Sequence, residues 1–146
     1  MKTLKSILLP LALLFGGALA SGAADGLKIA WTNNMLTVTA PDLPGQKLDT
    51  WYLEAFCRTG STKRDWRQTT IPQKTELISA NKQGTRIRLR TQVEPSVEVT
   101  HDIRAAKDEV EFLLTLKNSG REFVDVDWFQ PCMRVDRFTG RKQTNY

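Results

Sequence analysis

Apolar and polar residues alternate with a period of two along most of the chain beyond residue 26. The first alternating segment covers residues 27–32, and the second covers residues 35–39. Asn33-Asn34 separates them, and asparagine readily adopts the positive φ values of a tight turn. Because successive side chains of a strand point to opposite faces, the pattern predicts two strands joined as a hairpin.

Later segments repeat this pattern and are separated by turn-forming residues. They cover residues 75–80, 85–92, 97–105 and 109–118. None of them has apolar residues at the three- and four-residue spacing of an amphipathic helix. The sequence therefore predicts an all-β fold, either an antiparallel sandwich or a barrel. Of these two architectures we predict the antiparallel β-sandwich.

One of these segments carries a row of arginines. Ile87 and Leu89 are expected to face the core, so that Arg86, Arg88 and Arg90 face away from it. Such a row suits a solvated face or a protected sheet edge, and this interpretation is favoured over a surface that grips an anionic polymer.

Two aromatic-rich segments, far apart in the sequence, each contain one of the two cysteines. Residues 51–58 include Cys57 and are apolar on both faces, as in a strand that is covered on both sides or that lines a cleft. Residues 128–140 include Cys132 among aromatic and charged residues. We predict that these two segments lie side by side in the fold.

The N-terminal residues have the pattern of a signal peptide. Two lysines precede an apolar run over residues 7–15, and Ala18-Leu19-Ala20 supplies small residues where a signal peptidase cleaves. The run is shorter than the roughly 20 residues of a membrane-spanning helix, so an uncleaved anchor is the disfavoured alternative. We predict a signal peptide at 1–20, a single domain at 21–146 without a membrane span, and export to the periplasm or the cell exterior.

Export to an oxidising compartment makes a Cys57–Cys132 disulfide the simplest use of the two cysteines. Two buried free thiols are the alternative. A metal site is not expected, because two cysteines and the single histidine, His101, supply too few ligands. The formal net charge of +5 includes two lysines of the signal peptide, so the mature domain is modestly basic and no nucleic-acid partner is expected.

His101 lies on the apolar face of its segment, together with Val99 and Ile103. A hydrogen-bonded core histidine is the favoured interpretation. The alternative is a general acid or base whose protonation is tuned by a nearby carboxylate. The candidate carboxylates are Glu54, Asp127 and Asp136.

Asp125 and Asp127 lie two residues apart on a predicted strand, so their side chains are expected to share a face at a separation of about 7 Å. This spacing is near that of the two carboxyl groups of an inverting glycosidase, although the solvated side of a sheet is the favoured interpretation. The sequence contains no motif for an activated nucleophile, a phosphate-binding loop or a calcium loop, so no cofactor is expected.

Six residues of the two cysteine-containing segments are candidates for ligand binding. They are Trp51, Tyr52, Trp128, Arg134, Asp136 and Phe138. Aromatic faces stack on sugar rings, while charged groups hydrogen-bond the hydroxyls, so these residue types together suit a carbohydrate groove. Packing of the same aromatic residues in the core is the favoured alternative.

Three runs in the second half of the chain suggest a relationship. They are Val97-Glu98-Val99-Thr100-His101, Asp108-Glu109-Val110-Glu111-Phe112 and Leu116-Lys117-Asn118-Ser119-Gly120. These runs resemble the early strands of the galactose-mutarotase-like supersandwich, and the two cysteine-containing segments are similar to those of a group of uncharacterised exported bacterial proteins. The resemblance implies a large antiparallel sandwich of the kind that handles sugars in mutarotases, lyases and glycosidase domains.

The chain departs from that pattern in two respects. Mutarotases use a pair of histidines and a glutamate, whereas this chain has one histidine, so no catalytic residue is carried over. Full supersandwich domains are also longer than residues 21–146, so the resemblance implies a shortened member or a domain that is incomplete at its C terminus.

The favoured functional hypothesis is a non-catalytic, exported domain that binds carbohydrate or assists polysaccharide processing. The first alternative is a sugar-active enzyme, of the epimerase, lyase or glycosidase kind, that uses His101 and a carboxylate. The second alternative is a structural or protein-interaction module that offers an exposed strand edge.

Overall fold

A computed structural model describes residues 26–60, 63, 65–136 and 138–141, so the predicted signal peptide lies outside the described residues. The described part is an antiparallel β-sandwich, which confirms the predicted fold class. Its strands are β1 (Lys28–Thr32), β2 (Met35–Thr39), β3 (Lys47–Cys57), β4 (Thr70–Ile71), β5 (Gln73–Ala80), β6 (Arg86–Val93), β7 (Val97–Ala105), β8 (Val110–Asn118) and β9 (Trp128–Arg134).

Sheet A contains five strands and is organised around β3. Its order is β1-β2-β3, with β9 on the other side of β3 and the short β4 also paired to β3. The hairpin between β1 and β2 turns at Asn33 and Asn34, whose φ angles are 50° and 62°. The predicted hairpin and its turn residues are therefore confirmed.

Sheet B is an antiparallel meander in the order β5-β6-β7-β8. As predicted, Ile87 and Leu89 are buried and the arginines of β6 are exposed on the opposite face. These arginines are on a central strand, not on a sheet edge, and Arg86 and Arg90 pair with acidic residues of the neighbouring strands. Arg86 forms two hydrogen bonds with Asp102 of β7, at 2.9 and 2.7 Å.

Apolar residues of both sheets form one core between the layers. Its buried members include Ile29, Leu36, Val38, Leu53, Phe56, Ile71, Ile87, Leu89, Val93, Val97, Val99 and Ile103. Backbone hydrogen bonds also join the two layers. The Ile29 N–H of β1 donates to the Gly84 oxygen, just before β6, at 2.7 Å, and the Leu27 N–H donates to the Ala106 oxygen, just after β7, at 2.9 Å.

Strand β3 is irregular in its middle, and this irregularity shapes sheet A. Leu53 has a φ of 58°, which is uncommon for a side chain of its size. The pairing of β3 with β9 shifts register between Trp51 and Ala55. The Leu53 carbonyl accepts a hydrogen bond from the Gln73 side-chain nitrogen at 2.7 Å, so a side chain of sheet B holds the bulge.

The described helices are short. The helix α1 covers Trp66–Thr69, and Asp65 caps it by accepting a hydrogen bond from the Arg67 N–H at 2.9 Å. A 3-10 turn covers Pro44–Gln46, between β2 and β3. Among the described residues, no helix has the length and apolar content needed to cross a membrane.

Two leucines that face each other across β5 and β6 are expected to contribute very differently to the free energy of unfolding. Leu89 is fully buried, whereas its partner Leu77 is 46% exposed. Leu89→Ala is expected to lower the free energy of unfolding by roughly 2–5 kcal/mol, because it leaves a cavity. Leu77→Ala, the matched control, is expected to cost about 1 kcal/mol or less. Urea denaturation of both variants measures the two values, and equal losses would contradict this packing.

Candidate functional site

The two cysteine-containing segments lie side by side, as predicted. They form β3 and β9, which pair antiparallel. In this register Trp128 lies opposite Cys57, and Cys132 lies opposite Trp51. Each cysteine is therefore paired with a tryptophan of the other strand, and not with the other cysteine.

The same register shows that the predicted Cys57–Cys132 disulfide is wrong. Cys132 is four residues beyond Trp128, the residue opposite Cys57, and this is about 13 Å along β9 at the usual strand rise. A disulfide needs α-carbons within about 7 Å. Neighbouring strands were correctly inferred, but adjacency of strands does not fix which residues face each other.

The side chain of Cys57 is fully buried on the side of β3 that faces away from the core. Burial, together with the negative charges of Asp127 and Glu54, raises the pKa of the Cys57 thiol. The Asp127 N–H also donates to the Cys57 carbonyl at 2.9 Å, so the loop before β9 is fixed beside this cysteine. A thiol with a raised pKa is a poor nucleophile, which indicates a packing role.

The two faces of β9 differ in what they contact. The Phe129 ring lies 6.0 Å from the ring of the core residue Phe56, so Phe129 belongs to the inner face. Its neighbours in sequence, Trp128 and Gln130, therefore belong to the outer face of sheet A. Gln130 donates a hydrogen bond to a Glu54 carboxylate oxygen at 2.9 Å on that outer face.

Aromatic and polar side chains form a row on this outer face, which we call the outer strip. Its residues are Trp51, Glu54, Trp66, Trp128 and Gln130. The Trp66 ring of α1 lies 6.5 Å from the Trp128 ring, at an interplanar angle of 47°. Trp51 and Trp66 are 40% and 47% exposed. The strip therefore presents indole surface at both ends, with an amide–carboxylate pair between them.

Tyr52 was predicted to line the groove, but it faces the core instead. It is 3% exposed, and its ring lies 5.5 Å from the Phe112 ring and 6.0 Å from the Trp31 ring. Burial raises the pKa of its hydroxyl. Trp51 and Tyr52 are adjacent in the strand, so they necessarily point to opposite faces, and only Trp51 reaches the outer strip.

The other three groove candidates lie toward the end of β9. Arg134 is half-buried and lies opposite Asp49 of β3, on the outer face beyond Trp51. Asp136 and Phe138 are half-buried in the turn that follows β9, outside the outer strip. The Asp136 carbonyl accepts a hydrogen bond from the Arg141 N–H at 2.9 Å, which fixes this turn. Arg134 therefore extends the strip, whereas Asp136 and Phe138 belong to the turn.

His101 occupies the centre of the sandwich, in keeping with the favoured interpretation of a core histidine. Its side chain is fully buried, with the Tyr52 hydroxyl 3.2 Å from Nδ1 and the Thr91 hydroxyl 3.0 Å from Nε2. The Thr91 hydroxyl lies 2.8 Å from that of Thr75, so the network continues into β5. Burial lowers the pKa of His101 to about 4. The imidazole is neutral at physiological pH and serves to satisfy buried hydroxyls.

The structure does not bring His101 together with its candidate carboxylates. Both of its ring nitrogens are engaged by hydroxyl groups, and Glu54 is directed to the opposite face of sheet A. Asp127 is exposed in the loop before β9, and Asp125 in the same loop accepts a hydrogen bond from the Thr59 hydroxyl. The sequence predicts a strand at Asp125 and Asp127, but the structure has a loop there. Val124 and Val126 of this loop pack against the core, and the loop makes no strand pairing.

A pocket that sequence reasoning missed lies beside this loop. Its volume is about 360 Å³, and its lining includes Arg58, Glu94, Phe123 and Asp125. Phe123 is 88% exposed at its rim. The pocket forms where three loops from distant parts of the sequence meet, so no local sequence motif predicts it. Among the described residues, no group of three or more histidine, cysteine or acidic residues is arranged to hold a metal ion.

Comparison of the chain with protein-family models, with curated proteins and with solved structures finds no match.

The register of β3 and β9 predicts the reactivity of both thiols. In denaturant without reductant, the chain is expected to take up two alkyl groups, because no disulfide protects the cysteines. In the native state Cys57 is expected to stay unmodified, because it is fully buried. Mass spectrometry after iodoacetamide treatment measures both states, with Cys57→Ala as the control that identifies the protected site. An unfolded, unreduced chain that takes up no alkyl group would contradict the structure.

The buried histidine predicts a loss of stability in mild acid. Above pH 6.5 His101 is neutral in both states. Between pH 6.5 and pH 4 the unfolded chain binds a proton that the folded chain does not, because the folded pKa is about 4. The free energy of unfolding is therefore expected to decrease as the pH is lowered through this window, by on the order of 3 kcal/mol at pH 4.

The His101→Gln variant is the control for this prediction, since an amide offers a donor and an acceptor but does not titrate in this window. Urea denaturation of both proteins at pH 7, 5.5 and 4 gives the two pH slopes. Surface carboxylates contribute equally to both, so the variant is expected to show the smaller slope. The prediction fails if the two slopes are equal.

Proposed function

We propose that this protein is an exported, non-catalytic module that binds carbohydrate through the outer strip. The observation that carries the proposal is the alignment of Trp51, Trp66 and Trp128 on one face of sheet A. A strand surface is extended and shallow, and indole rings offer flat apolar faces to the C–H groups of a sugar ring. The Glu54–Gln130 pair supplies hydrogen-bonding groups for hydroxyls between the rings.

The spacing of the strip suggests the size of the ligand. Trp51 lies opposite Cys132, and Trp128 lies four residues away along β9, at a distance of about 13 Å. This span exceeds the width of a single sugar ring. An oligosaccharide or a polysaccharide chain that runs along β9 is therefore the ligand class that reaches both ends.

The position of the only histidine favours binding over catalysis. The enzyme hypothesis needs an imidazole that opens to a pocket within reach of a carboxylate, whereas His101 is fully enclosed. Export remains part of the proposal because of the signal-peptide pattern at residues 1–20. The likeness to the supersandwich group stays a prediction and supports only the choice of sugars as ligands.

Affinity electrophoresis on a panel of polysaccharides tests this function. The chain is expected to be retarded by at least one of them, and a linear oligosaccharide of that polymer is expected to bind more tightly than its monosaccharide in calorimetry. Trp51→Ala and Trp66→Ala are each expected to weaken binding by roughly tenfold, because each removes an aromatic anchor.

Phe123→Ala is the matched control, since Phe123 is an exposed aromatic residue outside the strip. It is expected to leave retardation unchanged. The absence of retardation on every polysaccharide, or equal losses in the Phe123 and Trp51 variants, would overturn the proposal. Release of reducing ends or unsaturated products from the polymer would favour the enzyme alternative.

A further inference from the structure

Strand β8 forms one edge of sheet B, and its outer edge has no pairing partner among the described residues. It pairs with β7 from Val110 to Asn118, over nine residues, and it contains no proline. A long, regular and apolar edge strand is a template for pairing with a further strand. The edge of β8 therefore has the properties of a docking surface.

The other strands at sheet edges in the described ranges each carry a feature that discourages pairing. Strand β5 has a bulge between Leu77 and Ser79, and β9 contains the exposed Pro131. Strand β1 has five residues, and its Ile29 N–H is engaged by the Gly84 carbonyl. Strand β4 has only two residues. Strand β8 has no such protection.

The side chains of β8 leave apolar surface uncovered on both faces of the edge. On the inner face, Phe112 contacts Tyr52 but stays 42% exposed, and Leu116 is 59% exposed. On the outer face, Leu113 is 55% exposed. Apolar surface is therefore exposed along β8 on both faces of the sheet, and exposed apolar surface of this kind marks interaction sites.

The sequence of β8 is complementary to itself when read in the antiparallel direction. If Leu114 lies opposite the partner's Leu114, then Glu111 lies opposite the partner's Lys117, and Phe112 lies opposite the partner's Leu116. By symmetry each of these contacts occurs twice. The register joins opposite charges on the outer face and apolar side chains on the inner face. A shift by one residue would set the apolar inner face against the polar outer face.

We propose that β8 pairs with β8 of a second copy of this chain about a twofold axis at Leu114. The two B sheets then form one continuous eight-stranded antiparallel sheet. The contact is isologous, so it closes at a dimer and leaves no growing end. This inference does not depend on the proposed carbohydrate function, because the outer strip is on sheet A.

Charge reversal tests both the dimer and its register. Glu111→Lys places two lysines opposite each other at both ends of the contact, and Lys117→Glu does the same with two glutamates. Each variant alone is expected to raise the dimer dissociation constant by roughly tenfold. Mixed in equal amounts, the two variants are expected to form a heterodimer of restored affinity, because every Lys then faces a Glu.

Sedimentation velocity of the purified full chain, of each variant and of the mixture measures these constants. Urea denaturation of each variant checks that the fold is kept, since Glu111 also lies 3.9 Å from Arg104. Recovery of the dimer only in the mixture supports the proposal. A wild-type chain that stays monomeric at high micromolar concentration overturns it, as does a dimer that is insensitive to both reversals or a mixture that fails to recover.

Discussion

The pairing of β3 with β9 is the contact on which the arrangement of the candidate site depends. β3 also pairs with β2 and β4, so one strand connects the N-terminal hairpin, the strand that leads into sheet B and the last described strand. The bulge at Leu53 makes this possible, because it changes the register with β9 between Trp51 and Ala55. A strand without this bulge would keep one register over its whole length and present a different row of side chains.

The alternating faces of β3 give sheet A two separate roles. Tyr52 points inward to the His101 network, which satisfies buried hydroxyls across the two sheets. Trp51, the preceding residue, points outward to the strip. A single substitution on one face is therefore expected to leave the chemistry of the other face largely intact, because the sheet itself separates them. This separation allows a binding surface to change without cost to the core.

The period-two pattern was sufficient to predict the fold, because burial on one face of a strand fixes alternation in the sequence. It also placed Ile87 and Leu89 inward and the arginines outward. It failed where tertiary context decides the outcome. The disulfide depends on the register of β3 against β9, and no residue pattern reports that register. Alternation does place Trp51 and Tyr52 on opposite faces, but only the contacts of Tyr52 with Trp31 and Phe112 show that it is the inner one of the two. The pocket at Phe123 depends on loops that meet from distant parts of the chain.

Dimerisation through β8 is expected to change how the outer strip binds a polymer. A dimer joined through β8 carries two outer strips, one on each A sheet. A polysaccharide long enough to reach both strips gains from the high effective concentration of the second site, whereas a short oligosaccharide occupies one strip and gains nothing. Loss of the dimer is then expected to weaken retention on a polymer while the affinity for the oligosaccharide stays the same. Loss of Trp51 would weaken both, so the two surfaces are separable by the length of the ligand.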